Sequence, residues 1–106
     1  MGATVLSSGV ALARACHPEP TLAVTALATV VAISAGRGAG TAWVTAAVLC
    51  GQLSVGWAND YLDREQDRRA GRRDKPVAAG RVDATPVRRA AIVALAMAVV
   101  LNVLFF

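Results

Sequence analysis

Charge is what this sequence has least of. Only 17% of its 106 residues are charged while 56% are hydrophobic, and the mean hydropathy is +0.51. Soluble domains average about 25% charged and roughly 45–50% apolar residues. A lone domain of this length removes only about 60–70% of its unfolded surface from water, so much of the apolar chain would be left facing solvent. That excludes an ordinary water-soluble fold and points to lipid. Cysteine is also scarce: Cys16 and Cys50 alone cannot build a disulfide framework or a zinc cluster, and both are expected as reduced, packed thiols. The high apolar content and the near absence of low-complexity sequence exclude a disordered or fibrous chain.

The few charges are bunched. Arg64, Arg68, Arg69, Arg72, Arg73, Lys75, Arg81, Arg88 and Arg89 are nine of the eleven basic residues, and six of the seven acids (Asp60, Asp63, Glu65, Asp67, Asp74, Asp83) share their stretch. A net charge of +4 would suit a nucleic-acid binder if it were spread over one face. One mixed-charge block between two nearly charge-free arms instead describes a membrane protein with a polar loop, and no nucleic-acid partner is expected.

Residues 1–17, with Arg14 and His17, read as a short interfacial segment. Pro18 and Pro20 suit the first turn of a helix, where a missing N–H costs nothing. The apolar run that follows makes a helix over about 18–36 the first membrane span; Pro18 to Ala35 rises about 27 Å, close to a hydrocarbon core of about 30 Å. Glycine-rich residues 36–40 return the chain. A second helix is expected over 41–67, with Ala46, Cys50, Ser54 and Ala58 forming a small-residue stripe every fourth position. Trp43 and Trp57 near its ends suit either the lipid interface or packing between helices. A loop over about 68–84 precedes a third helix over 85–106. The fold expected is an all-α integral membrane bundle. Positive charge favours the cytoplasmic side, which places residues 64–89 and the amino terminus in the cytoplasm of a multi-pass cell-membrane protein. The last apolar run reaches Phe106 without polar flanks, so the chain is expected to be the amino-terminal part of a longer protein.

The residues with chemical content begin where the second apolar run ends. On a continuous helix, at about 100° per residue, Asp60, Asp63 and Asp67 fall within an arc of about 60°, and Asn59 widens it to about 100°. Like charges at these spacings cost an isolated helix roughly 0.2–0.5 kcal/mol each, so helix stability does not select them. Hard oxygen ligands are what Mg²⁺ prefers, commonly one or two carboxylates completed by substrate phosphates. The basic residues downstream would neutralise charge on a departing diphosphate. The alternative is a solvated, charge-laced helix end, with Asp60–Arg64 and Glu65–Arg69 as i,i+4 pairs.

Asn59-Asp60-x-x-Asp63-x-x-x-Asp67, followed by Asp74-Lys75-Pro76-Val77-Ala78-Ala79-Gly80-Arg81-Val82, resembles the first aspartate-rich motif and following loop of the UbiA superfamily of intramembrane prenyltransferases. The resemblance runs from about the first span onward and covers about the first third of a family member. It implies a fold of nine spans around a central cavity. It also implies transfer of a prenyl group from a polyprenyl diphosphate to an acceptor, usually aromatic, with Mg²⁺. By the same resemblance Asp63 and Asp67 would be catalytic, and Asn59, Asp60, Asp63 and Asp67 would hold Mg²⁺. Asn59, Arg72, Arg73, Lys75 and Arg81 would meet the diphosphate. Family members carry a second aspartate-rich motif on a later helix, whereas no acid follows Asp83 here. The expectation is therefore an incomplete enzyme, inactive alone, whose partners include membrane lipid and the remaining helices of the fold.

Two other readings stay open. A CDP-alcohol phosphotransferase is also a membrane Mg²⁺ enzyme, and Asp63 and Asp67 match its Asp-x-x-x-Asp element, but the Asp-Gly-x-x-Ala-Arg that precedes it there is absent. A non-catalytic membrane protein, whose acidic segment binds partners or headgroups, needs no second motif.

Overall fold

The computed structural model describes residues 2–72, 74–80 and 83–106, with side chains from residue 9 onward. Every regular element among them is helical. In chain order these are α1 (Gly2–Ala15), α2 (Pro18–Ser34), a 3₁₀ turn (Gly38–Gly40), α3 (Thr41–Leu62), the short α4 (Arg64–Arg69) and α5 (Ala84–Phe105). The central helix is α3, packed against both α2 and α5.

The helices meet through small residues. Buried positions are Thr21, Thr25 and Ala32 on α2, Ala47, Ser54, Gly56 and Asp60 on α3, and Val87, Ala91, Ala94 and Ala98 on α5. Leu22, Leu27, Ile33, Leu95, Val103 and Leu104 are all more than half exposed. Large apolar side chains outside and small ones inside invert the arrangement expected in water. Lipid tails are as apolar as leucine, so close backbone approach, and not removal of leucine from solvent, holds such helices together. Of the small-residue stripe expected on α3, Ser54 is buried and Ala46, Cys50 and Ala58 are half-buried.

Two stretches, Gly38–Leu62 and Ala84–Phe105, are long and apolar enough to cross a membrane. Gly9–Ala15 and Pro18–Ser34, bent by 61° at their junction, make a third if counted as one span. The bend has a local cause. Pro18 disfavours a right-handed helical conformation in the residue before it, and His17 takes the left-handed one, with φ 57°. The Thr21 hydroxyl donates to the Cys16 carbonyl at 3.1 Å, satisfying an acceptor freed by the break.

Local chemistry also explains the return at 36–40. Gly36 takes φ +78°, the Arg37 N–H reaches the Ala32 carbonyl at 3.1 Å and the Gly36 N–H reaches that of Ile33 at 3.0 Å. This is the paired closure that a left-handed glycine gives a helix end. Across the α2–α3 contact the hydroxyls of Thr29 and Thr45 lie 2.6 Å apart. Thr29 donates to the Thr25 carbonyl at 2.8 Å, so Thr45 is the donor between the helices. Trp43 at the start of α3 stacks on Phe105 at the end of α5, with centroids 3.9 Å apart and planes 11° apart, which makes the two helices antiparallel. Trp57 is a packing residue: its indole N–H donates to the Leu12 carbonyl of α1 at 2.8 Å.

Candidate functional site

The charged end of the molecule is built on the last turn of α3. The helix expected to run unbroken from 41 to 67 ends at Leu62, and Asp63 takes φ −92° and ψ 6° between α3 and α4. One continuous helix would stack three acids on a single face; the break leaves Asp63 exposed while Asp60 and Asp67 are buried. Arg64 folds back over the break, donating to the Tyr61 carbonyl at 2.7 Å with its guanidinium 4.2 Å from the Tyr61 ring centroid. It therefore does not pair with Asp60, and Glu65 pairs with Arg68 at 2.7 Å instead of Arg69.

A second left-handed glycine closes α4. Gly71 takes φ +70°, and the Arg72 N–H reaches the Asp67 carbonyl at 2.9 Å. Arg72 then grips Asp74 with two hydrogen bonds, at 2.8 and 2.7 Å. This forked pair lies in water; the guanidinium holds the Asp74 carboxyl down to about 2, and the carboxylate in turn raises the Arg72 pKa. Residues 75–79 form one helical turn, with the Ala79 N–H on the Lys75 carbonyl at 2.9 Å, and Gly80 at φ +77° ends it.

That turn is core, although it belongs to the charged block. Lys75, Pro76, Val77 and Ala78 are all buried. Val77 packs with Ala15 and Val87, bordered by Leu12, Trp57, Tyr61 and Ala84. Four parts of the chain thus meet at one end of the bundle: the end of α1, the end of α3, the 74–80 loop and the start of α5.

At the centre is Asp60, with no exposed surface. Its Oδ2 accepts the Val77 backbone N–H at 3.0 Å, and its Oδ1 lies 3.8 Å from Lys75 Nζ and 3.9 Å from His17 Nε2. Lys75 Nζ is also 3.4 Å from Asp67 Oδ2. Among the described residues, Asp60 Oδ1, Asp67 Oδ2 and His17 Nε2 are buried polar atoms with no hydrogen-bond partner. Buried polar atoms in native proteins are nearly always paired, so two orphaned carboxylate oxygens around one ammonium mark a place suited to a cation.

Of the residues expected at the site, the structure brings Asp60, Asp67 and Lys75 together. Asn59, Asp63 and Arg72 are exposed, and among the described residues their side chains make no hydrogen bond or ion pair to the side chains of that centre. Arg73 and Arg81 lie outside the described residues. The participant missed in the sequence is His17, whose only signal there is its place before Pro18, which sets the bend that brings it to Asp60.

Among the described residues no three His, Cys, Asp or Glu side chains converge to hold a metal ion by themselves. The donor set nevertheless fits Mg²⁺, which commonly takes one or two carboxylates and fills its octahedron with phosphate and water oxygens. Asp60 Oδ1 and Asp67 Oδ2 are hard, unpartnered donors of that kind. An apolar groove of about 440 Å³ runs between α3 and α5, lined by Ser54, Ala58, Tyr61, Ala91, Leu95 and Arg88 among others, and none of Asp60, Asp67, Lys75 and His17 lines it. Tyr61 belongs both to the groove lining and to the border of the Val77 cluster.

No family model matches this chain, and neither does any curated protein or solved structure.

Proposed function

We propose that this chain forms part of a membrane prenyltransferase of the UbiA type, which transfers a prenyl group from a polyprenyl diphosphate to an aromatic acceptor with Mg²⁺. The observation that carries the reading is the meeting of the two motifs. Asp60 and Asp67 from the first converge on Lys75 of the second, at the charged end of helices able to cross a membrane. A polar centre at the end of an apolar helix bundle suits a lipid diphosphate, whose head is anionic and whose tail is apolar.

In this reading Asp60 and Asp67 would hold Mg²⁺, and Asn59 and Asp63 of the same motif are assigned to it by the resemblance. The ion would neutralise charge on the departing diphosphate as the allylic carbon–oxygen bond breaks. The chain's own residues do the rest. Lys75 and Arg72 offer charge-assisted hydrogen bonds to the diphosphate oxygens, and Arg73 and Arg81 are assigned the same work by the motif. The chain supplies one carboxylate cluster; the second, expected on the opposite side of such a site, would come from helices beyond those described, in a fold of nine.

The test is retention of a polyprenyl diphosphate on vesicles carrying the chain. Retention should require Mg²⁺ and should fall about tenfold or more in Asp67→Asn, the scale set by losing a charged ligand. Retention without Mg²⁺, or unchanged in both Asp67→Asn and Asp63→Asn, refutes the reading. Retention unchanged in both variants would favour an acidic segment without a diphosphate site.

A further inference from the structure

Lys75 is the only lysine in the sequence, and its side chain is only 8% exposed. Its ammonium lies between two buried acids, yet bonds neither: the 3.4 and 3.8 Å separations are ion-pair contacts, and Asp60 Oδ1 and Asp67 Oδ2 keep no hydrogen-bond partner. A buried ion pair that serves stability needs good geometry and satisfied lone pairs to offset desolvation. This one has neither. One ammonium, with the His17 imidazole 3.9 Å from Asp60 Oδ1, is set against two carboxyl groups whose facing oxygens both lack a hydrogen-bond partner.

We propose that Lys75 is a resident counter-cation that holds the Asp60–Asp67 site and is exchanged for a divalent cation. When the divalent ion enters, the ammonium leaves the carboxylates and turns toward the anionic group that accompanies the ion. A lysine suits this exchange better than an arginine would. Its charge is compact, its stem is flexible and its three donors rotate, whereas an arginine would lock a carboxylate in a forked pair. The anchor is the 75–79 turn, held by the Val77 N–H on Asp60 Oδ2, so the side chain can withdraw while the backbone stays. The exchange couples the Lys75 side chain to cation binding: it is drawn in by the empty site and released by the filled one, while the backbone of the turn stays. This inference rests on the reading of Asp60 and Asp67 as a divalent-cation site.

Because Lys75 is the sole lysine, an amine-reactive ester reports on it directly. The 106-residue chain in detergent micelles would be labelled with and without Mn²⁺, and peptide mapping would separate Lys75 from the terminal amine. Labelling of Lys75 should be slow without Mn²⁺ and rise about tenfold with it, a coupling of ordinary size between two ligands of one site. Mn²⁺ affinity, read from the spin signal of the free ion, should tighten about tenfold in Lys75→Gln, since the competing ammonium is gone. Mn²⁺ binding to the wild-type chain with Lys75 still protected, and with unchanged affinity in Lys75→Gln, overturns the exchange and leaves the cation site standing. Failure of both chains to bind Mn²⁺ overturns the exchange and the cation site together. Binding by Lys75→Gln alone supports the exchange in its strongest form. The labelling arm needs no variant, so it decides the matter even if Lys75→Gln does not fold.

Discussion

The Asp60 carboxylate accepts the Val77 backbone N–H at 3.0 Å, tying the end of α3 to a turn seventeen residues further along the chain. The loop is held by this bond together with the buried apolar side chains of Val77 and Ala78. Asp60→Asn keeps an acceptor for the Val77 N–H, whereas Asp60→Ala leaves that N–H and the Lys75 ammonium buried without it. Breaking a buried charge pair on one side costs about 3–5 kcal/mol. In Asp60→Ala the 70–83 segment should therefore be cut by trypsin much faster than in the wild-type chain, with Asp60→Asn between them. Equal cutting rates in all three would show that Asp60 does not hold the loop.

The helices were legible in the sequence because apolar runs, prolines and glycines mark them directly: α2 begins at Pro18, its end is closed by Gly36, and α5 spans Ala84–Phe105 where 85–106 was expected. The site was legible only in part. The i,i+3 and i,i+7 spacing of Asp60, Asp63 and Asp67 assumes one unbroken helix, and repulsion among those same acids favours the break that exposes Asp63. Nothing in the spacing reveals that Lys75 folds back between Asp60 and Asp67. That depends on a turn whose Pro-Val-Ala-Ala run is apolar enough to be core although charge surrounds it. His17 is a contact over more than forty positions, made by a backbone bend, and local pattern has no access to such contacts.

The exposed Arg72–Asp74 pair makes a pH prediction of limited reach. Asp74 titrates at about 2 when paired, against an ordinary aspartate value of about 3.9. A carboxyl depressed on folding contributes stability above its unfolded value and loses it as pH falls through its folded one. The contribution should thus be complete above about pH 4 and gone below about pH 2. Salt screens the pair because both groups face water. Carboxyl-carbon NMR should show the low Asp74 midpoint, and Arg72→Gln should return it toward the ordinary value; an unchanged midpoint would mean the pair does not form in solution.

Polar contacts between α2 and α3 are few, so the Thr29–Thr45 bond is a clean place to measure their worth. Thr45→Val removes the donor and keeps the shape. Hydrogen bonds between membrane helices average about 0.6 kcal/mol in double-mutant cycles, with a maximum of about 1.7. Thr45→Val should fall in that range in a reversible unfolding assay in mixed micelles. Thr29→Val should cost at least as much, because it removes the acceptor of that bond together with Thr29's own bond to the Thr25 carbonyl.

Gly56 and Gly51 lie on the same helix but face different surroundings. A Cβ on Gly56 would run into the backbone carbonyl of Cys16, which cannot move without shifting the α1–α2 junction, whereas one on Gly51 would meet nothing. Gly51→Ala should be neutral or stabilising by up to about 1 kcal/mol, the usual gain from replacing glycine inside a helix. Gly56→Ala forces the junction outward. Overpacking typically costs about 1–3 kcal/mol, and here the clash falls on backbone, where no rotamer change relieves it. The effect should reach the site. Cys16 precedes His17, so displacing it draws the imidazole from Asp60 and lengthens the Trp57–Leu12 hydrogen bond, 2.8 Å in the intact chain. Tryptophan emission should therefore shift in Gly56→Ala and stay put in Gly51→Ala. Gly56→Ala with wild-type emission and stability would mean that α1 does not dock against α3 as described.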